Sequence, residues 1–179
     1  MSAWASGLLV VTTVSPAIVA LRLPGIARAT LVAGLAAAAL MGTLLVVIAD
    51  PLASVADVEP ESLRIAAGLV LGVTGLARLA IPVGRREEDF SGRTGWLVPV
   101  AYPVVVGPEL VLAMLAVGAG DEPWSGLAGL AVGLVLAGVA TLAGAATVPA
   151  PVWRATARMT AAVQVLLAVG LTIDGIRAV

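Results

Sequence analysis

One carboxylate stands inside an apolar run that prolines have broken. From Trp96 to Gly118 the chain reads WLVPVAYPVVVGPELVLAMLAVG, with Pro99, Pro103, Gly107 and Pro108 interrupting it and Glu109 near its middle. The run is long enough to cross a bilayer, which takes ~20 residues. A proline inside a helix removes a backbone donor and clashes with the preceding turn. In lipid, the polar groups so freed are tolerated only against protein or a wet cavity. A carboxylate at that depth is costly and marks ion or substrate pathways. Two kinds of role are open to Glu109. It is a proton-coupling or cation-binding group in the first turn after the break, or it is a local cap or the partner of an arginine.

A second break lies near the N-terminus, at Thr12-Thr13-Val14-Ser15-Pro16. Pro16, Gly107 and Pro108 are read as exposing half-helix ends to substrate, against simple kinks that help packing. Thr12, Thr13 and Ser15 carry hydroxyls that suit ligands there, or that satisfy carbonyls freed by Pro16. Arg64 and Arg158 form a candidate pair of gates, one towards each surface, against snorkelling to headgroups. Gln164 is deep enough in its segment to line a cavity, whereas Asp174 falls near an interface.

The elements that must hold these residues are membrane helices. The chain has 179 residues, 60% of them hydrophobic and 12% charged, with a mean hydropathy of +1.10. That composition belongs to a membrane protein. Six spans are predicted: Ala3 to Leu21, Ala29 to Ala49 (closed by Asp50-Pro51), Ser62 to Ile81, Leu97 to Val117, Gly126 to Ala146 and Val152 to Ile176. The apolar N-terminus has no basic residue before Arg22, so it is expected to be a mature first span rather than a signal peptide. Segment five holds Gly129 and Gly133 in a GxxxG, suited to close packing within the chain or to a homo-oligomer contact.

All ten basic residues are arginines. Arg22, Arg28, Arg78, Arg85, Arg86, Arg93, Arg154 and Arg158 fall on one side of the six-span arrangement, and Arg64 and Arg177 on the other. The positive-inside rule then puts both termini outside the cytoplasm of a bacterial inner membrane. The net charge of -1 offers no footprint for nucleic acid. Without His or Cys, zinc, haem and thiolate chemistry lose their usual ligands, and no cofactor is expected.

The halves repeat weakly. Pro16 matches Pro108, and Arg64-Ile65-Ala66-Ala67 matches Arg158-Met159-Thr160-Ala161 at similar spacing. Three spans repeated once must be inverted. The expected fold is all-α: six transmembrane helices in two inverted three-helix repeats, residues 1–81 and 96–179, with helices one and four broken. A charged cytoplasmic loop, 82–95, joins them.

Several of these stretches, taken in order, resemble the MarC-type integral membrane proteins. They are the spaced prolines ending in Gly107-Pro108, the run Leu63-Arg64-Ile65-Ala66-Ala67-Gly68, and the last helix from Arg158-Met159 to Asp174-Gly175-Ile176. Two positions differ: Ser15-Pro16 stands where that family has Asn-Pro, and Gly107-Pro108-Glu109 where it has Gly-Pro-Gly. The resemblance implies a fold akin to the LysE-like exporters and, by likeness to some members, neutral amino acid transport. The function expected is therefore ion-coupled secondary transport of a small polar metabolite, with a proton or Na+ as coupling ion, and not enzymatic turnover. The alternative is a non-catalytic subunit of a larger membrane complex.

Overall fold

A computed structural model of the chain describes residues 3–22, 27–81, 105–120, 123–144 and 147–178. The expected charged loop, Trp96, Pro99 and Pro103 lie outside the described residues. The elements are α1 (Ala3–Val14), α2 (Pro16–Arg22), α3 (Arg28–Val55), α4 (Pro60–Ala80), α5 (Pro108–Gly118), α6 (Pro123–Val139) and α7 (Ala150–Ala178). A π-helical turn, Ala140–Gly144, continues α6.

Among the described residues, five stretches are long and apolar enough to span a bilayer: Trp4–Leu21, Arg28–Val55, Pro60–Ala80, Pro123–Leu142 and Ala150–Ala178. The outer surface is apolar, with Leu40, Val47, Leu69 and Leu166 exposed, while Thr12, Thr13, Ser15, Glu109 and Gln164 are buried. Apolar outside and polar inside is the distribution of a protein whose solvent is lipid. The chain is membrane-embedded.

The second span differs from expectation at its end. Asp50-Pro51 does not close it; α3 continues through Pro51 to Val55. The real stop comes at a Schellman motif. Val58 N–H donates to the Ala53 carbonyl (3.0 Å) and Asp57 N–H to that of Ser54 (3.3 Å). Asp57 takes a left-handed φ of 51°. The turn after Pro51 is held because buried Ala53 packs with Ala49 and Ala119.

Glycines set the helix pairings. Gly7 lies on Ser125 and Gly129, and Gly133 on Val11 and Val14, so α1 and α6 run side by side in the same direction. Gly68 meets Ala168 and Thr172, while Gly75 meets Ala161 and Val165, so α4 and α7 run in opposite directions. Gly42 against Leu130 and Gly138 against Leu35 make α3 and α6 antiparallel. These side-chain-free contacts let backbones approach closely, which is how helices associate in lipid.

The directions constrain the rest of the path. A short connection joins α3 to α4, and α6 runs with α1 against α3. The chain must therefore return once between Ala80 and Pro123. The eleven-residue α5 is the described part of that return, too short to span alone. At one end of the bundle Gly118 meets Val46 and Ala49, Gly120 meets Arg64, and Gly175 meets Glu61 and Ile65. The start of α1, the end of α7 and the α3–α4 turn thus share that end.

Candidate functional site

The site grows from the seam where α4, α5 and α7 meet. Arg78 is in the last turn of α4. Side chains on a helix lean towards its N-terminus, so Arg78 leans back into the bundle. There its Nη2 donates to Oε1 of Glu109 and its Nη1 donates to Oε1 of Gln164 at 2.9 Å. The Arg78 and Glu109 side chains are 20% and 10% exposed, and Gln164 is fully buried.

Gln164 is satisfied at both ends of its amide. Its Nε2 donates to the Leu71 carbonyl and to Thr74 Oγ1, each at 3.1 Å. The Thr74 hydroxyl donates in turn to the Val70 carbonyl at 2.9 Å. This network ties α7 to α4 and holds the guanidinium in a fixed orientation. Hydrogen bonds to ionised groups are the strong ones.

Glu109 occupies the second position of α5, after Gly107 as N-cap and Pro108 as first residue. Pro108 suits that place because its missing N–H would have no helical acceptor there. The positive end of the helix dipole favours an anion in this turn. The carboxylate lies back over Gly107: a Cβ there would come within 2.5 Å of Oε2 and 2.8 Å of Oε1. Gly107 is therefore a space requirement of Glu109. Of the roles open to Glu109, the arginine partnership is present.

The other break is built differently. Ser15, between α1 and α2, has a left-handed φ of 47°, uncommon for a residue with a Cβ. Its N–H donates to Val11 (3.3 Å) and its carbonyl accepts from Ile18 (2.9 Å) and Val19 (3.2 Å). Pro16 has no N–H, and the Ile18 amide is committed to Ser15. The carbonyls of Thr12 and Val14 thus lose the donors a continuous helix would supply. Ser15 Oγ is buried without a hydrogen-bond partner.

Thr12 and Thr13 do not repair this break. Their hydroxyls donate to Leu9 (2.8 Å) and Val10 (2.7 Å), one turn back within α1. Val14 and Val19 flank the break and belong to the same core cluster as Val105, Val106 and Leu110, which flank Gly107-Pro108. The Ser15-Pro16 turn and the start of α5 thus share one core.

Arg64 and Arg158 lie apart from this cluster. Arg64 pairs with Glu61 at 3.9 Å, one turn away on α4, and sits beside Gly120. Arg158 is exposed in the first half of α7. Two members of the cluster, Arg78 and Thr74, escaped the sequence expectations. At a segment end an arginine reads as an interface charge, and only the α4–α7 seam turns it inwards. The one available signal was Arg78 falling a single helical turn after Thr74 on one face of an apolar helix.

In comparisons with protein-family models, with curated proteins and with solved structures, no significant match was found.

Proposed function

We propose that this chain is a secondary transporter of small polar metabolites, of the neutral amino acid class, working by ion-coupled alternating access. The observation that carries it is the Arg78–Glu109–Gln164 cluster inside a bundle whose outer surface is apolar. Charged side chains buried in a membrane bundle are costly and mark substrate or ion pathways. An apolar pair would insert more cheaply, so such a cluster points to a task beyond packing. Its two charges complement a zwitterion: the guanidinium suits a carboxylate, and the Glu109 carboxylate suits an ammonium. In the absence of substrate the two neutralise each other, and a zwitterion entering between them replaces one ion pair with two.

The packing supports two inverted repeats. Let the first, second and third spans exchange with the fourth, fifth and sixth. Then the α1–α6 pair becomes α5–α3, the α4–α5 pair becomes α7 with α1 and α2, and α4–α7, α3–α6 and α1–α5 map onto themselves. All of these pairs occur. Breaks at Ser15-Pro16 and Gly107-Pro108 occupy matching positions, as substrate-bearing discontinuous helices do in inverted-repeat transporters. The resemblance to MarC-type proteins agrees with this arrangement. The chain carries no nucleotide-binding motif, so an ion gradient is the energy source. The arginines at the end shared by Arg28, Arg78 and Arg158 support a cytoplasmic position for that end, with both termini outside.

Uptake into proteoliposomes tests the proposal. Labelled glycine, alanine and serine are offered under imposed proton and Na+ gradients to wild type, Glu109→Gln and Arg78→Gln, with thermal unfolding of each variant as the control for folding. Gradient-driven uptake by wild type, lost in both folded variants, is the expected result. Undiminished uptake by Glu109→Gln would reduce Glu109 to a structural partner. No uptake of any substrate, together with constant co-purification of other proteins, would replace the transporter with a subunit of a larger complex.

A further inference from the structure

We propose that the break between α1 and α2 is a Na+ site, with Ser15 Oγ and the carbonyls of Thr12 and Val14 as ligands. Three observations converge on it. Ser15 Oγ is buried and has no hydrogen-bond partner, although buried hydroxyls are nearly always satisfied. Pro16 and the bond from Ile18 to Ser15 strip the carbonyls of Thr12 and Val14 of their helical donors. Thr12, Val14 and Ser15 are 4%, 1% and 2% exposed, so bulk water does not replace those donors.

The chemistry of the ligands selects the ion. The oxygens at the break, Ser15 Oγ and the carbonyls of Thr12 and Val14, are all neutral, and residues 12–19 include no titratable side chain. A proton therefore has nowhere to bind. A divalent cation would call for carboxylates, and the break has none. The α1 C-terminus carries the negative end of its helix dipole, which favours a single positive charge. Unwound carbonyls and half-helix C-termini hold Na+ in broken-helix transporters. The hydroxyls of Thr12 and Thr13 are committed to Leu9 and Val10 and brace the turn whose carbonyls face the ion.

This inference deepens the transporter proposal, since it makes Na+ the coupling ion, but binding is measurable without transport. The purified full chain in detergent is unfolded thermally in NaCl, KCl or choline chloride at constant ionic strength. Ser15→Gly tests the ligand, because glycine adopts φ 47° without strain and removes the hydroxymethyl group that carries Oγ. Ser15→Asn restores an oxygen in a residue that tolerates the same backbone. The expected result is a saturable rise in Tm with NaCl alone for wild type and Ser15→Asn, and none for Ser15→Gly. An equal response to KCl or choline chloride, or a wild-type response in Ser15→Gly, overturns the site. Na+-specific stabilisation without uptake would sink the transporter and leave the site standing. Uptake driven only by protons, with no Na+ response, would do the reverse.

Discussion

Arg78 reaches from the last turn of α4 to Glu109 in the first turn of α5, and the pair closes a seam that backbone hydrogen bonds cannot close. Removing Glu109 takes from Arg78 the buried carboxylate that its Nη2 donates to. Glu109→Leu is expected to destabilise the protein by at most about 3–5 kcal/mol, the cost of breaking a fully buried pair. Replacing both, as Arg78→Met with Glu109→Leu, should return stability to near wild type, because a well-packed apolar pair of similar volume is often neutral or better. Uptake should stay absent in the double variant. Thermal unfolding and uptake measured on all three proteins separate the pair's task from its contribution to folding.

How much of this was legible beforehand depends on the residue. The long apolar helices follow from composition, because no other solvent suits such a surface. Glu109 stood out because a single acid in an apolar run needs a partner, and an arginine was among the partners weighed for it. The Ser15-Pro16 break was visible because proline lacks the donor a helix needs. Pro51 misled for the same reason: its chemistry was weighed without the packing of Ala53 on Ala119 that holds the following turn. Arg78 was hidden because its direction is set by partners far away in sequence, Glu109 and Gln164. The tasks of Thr12 and Thr13 could not be read either, since a hydroxyl one turn from a break serves its own helix or a ligand equally well.

Gly107 makes a prediction that isolates the position of Glu109. Its φ of -85° is ordinary for any residue, so alanine there brings no backbone strain. The new methyl would instead meet the Glu109 carboxylate and push it off Arg78. Gly107→Ala should therefore lower uptake at least about tenfold, the change that ~1.4 kcal/mol of lost interaction produces, while the thermal midpoint falls less than in Glu109→Leu. Uptake at the wild-type level in Gly107→Ala would show that the carboxylate has other room to occupy.

The seam between α1 and α6 predicts a sharp contrast between two glycines. A Cβ on Gly129 would collide with the backbone of Gly7, whereas one on Gly170 meets nothing within 4 Å. Backbone cannot step aside as a flexible side chain can, so Gly129→Ala should cost about 1–3 kcal/mol through overpacking. Gly170→Ala should be neutral or slightly stabilising, since alanine favours helix over glycine. Equal thermal midpoints for the two variants would mean that α1 and α6 do not approach as closely as their glycines permit.

Orientation can be read chemically, because the chain has no native cysteine. Ala56 lies in the exposed α3–α4 turn, and Ala150 is exposed at the start of α7. The α3–α4 turn shares its end of the bundle with the start of α1, and the start of α7 belongs to the opposite end. In the proposed orientation, which follows the arginine distribution, the first end faces outside. A membrane-impermeant maleimide applied to intact bacterial cells should label Ala56→Cys at once and Ala150→Cys only after permeabilisation. The reverse pattern would invert the protein in the membrane, placing the arginine-rich end outside. Labelling of both sites in intact cells would deny that the chain between them crosses the bilayer an odd number of times. The parallel course of α1 and α6 would then need another explanation.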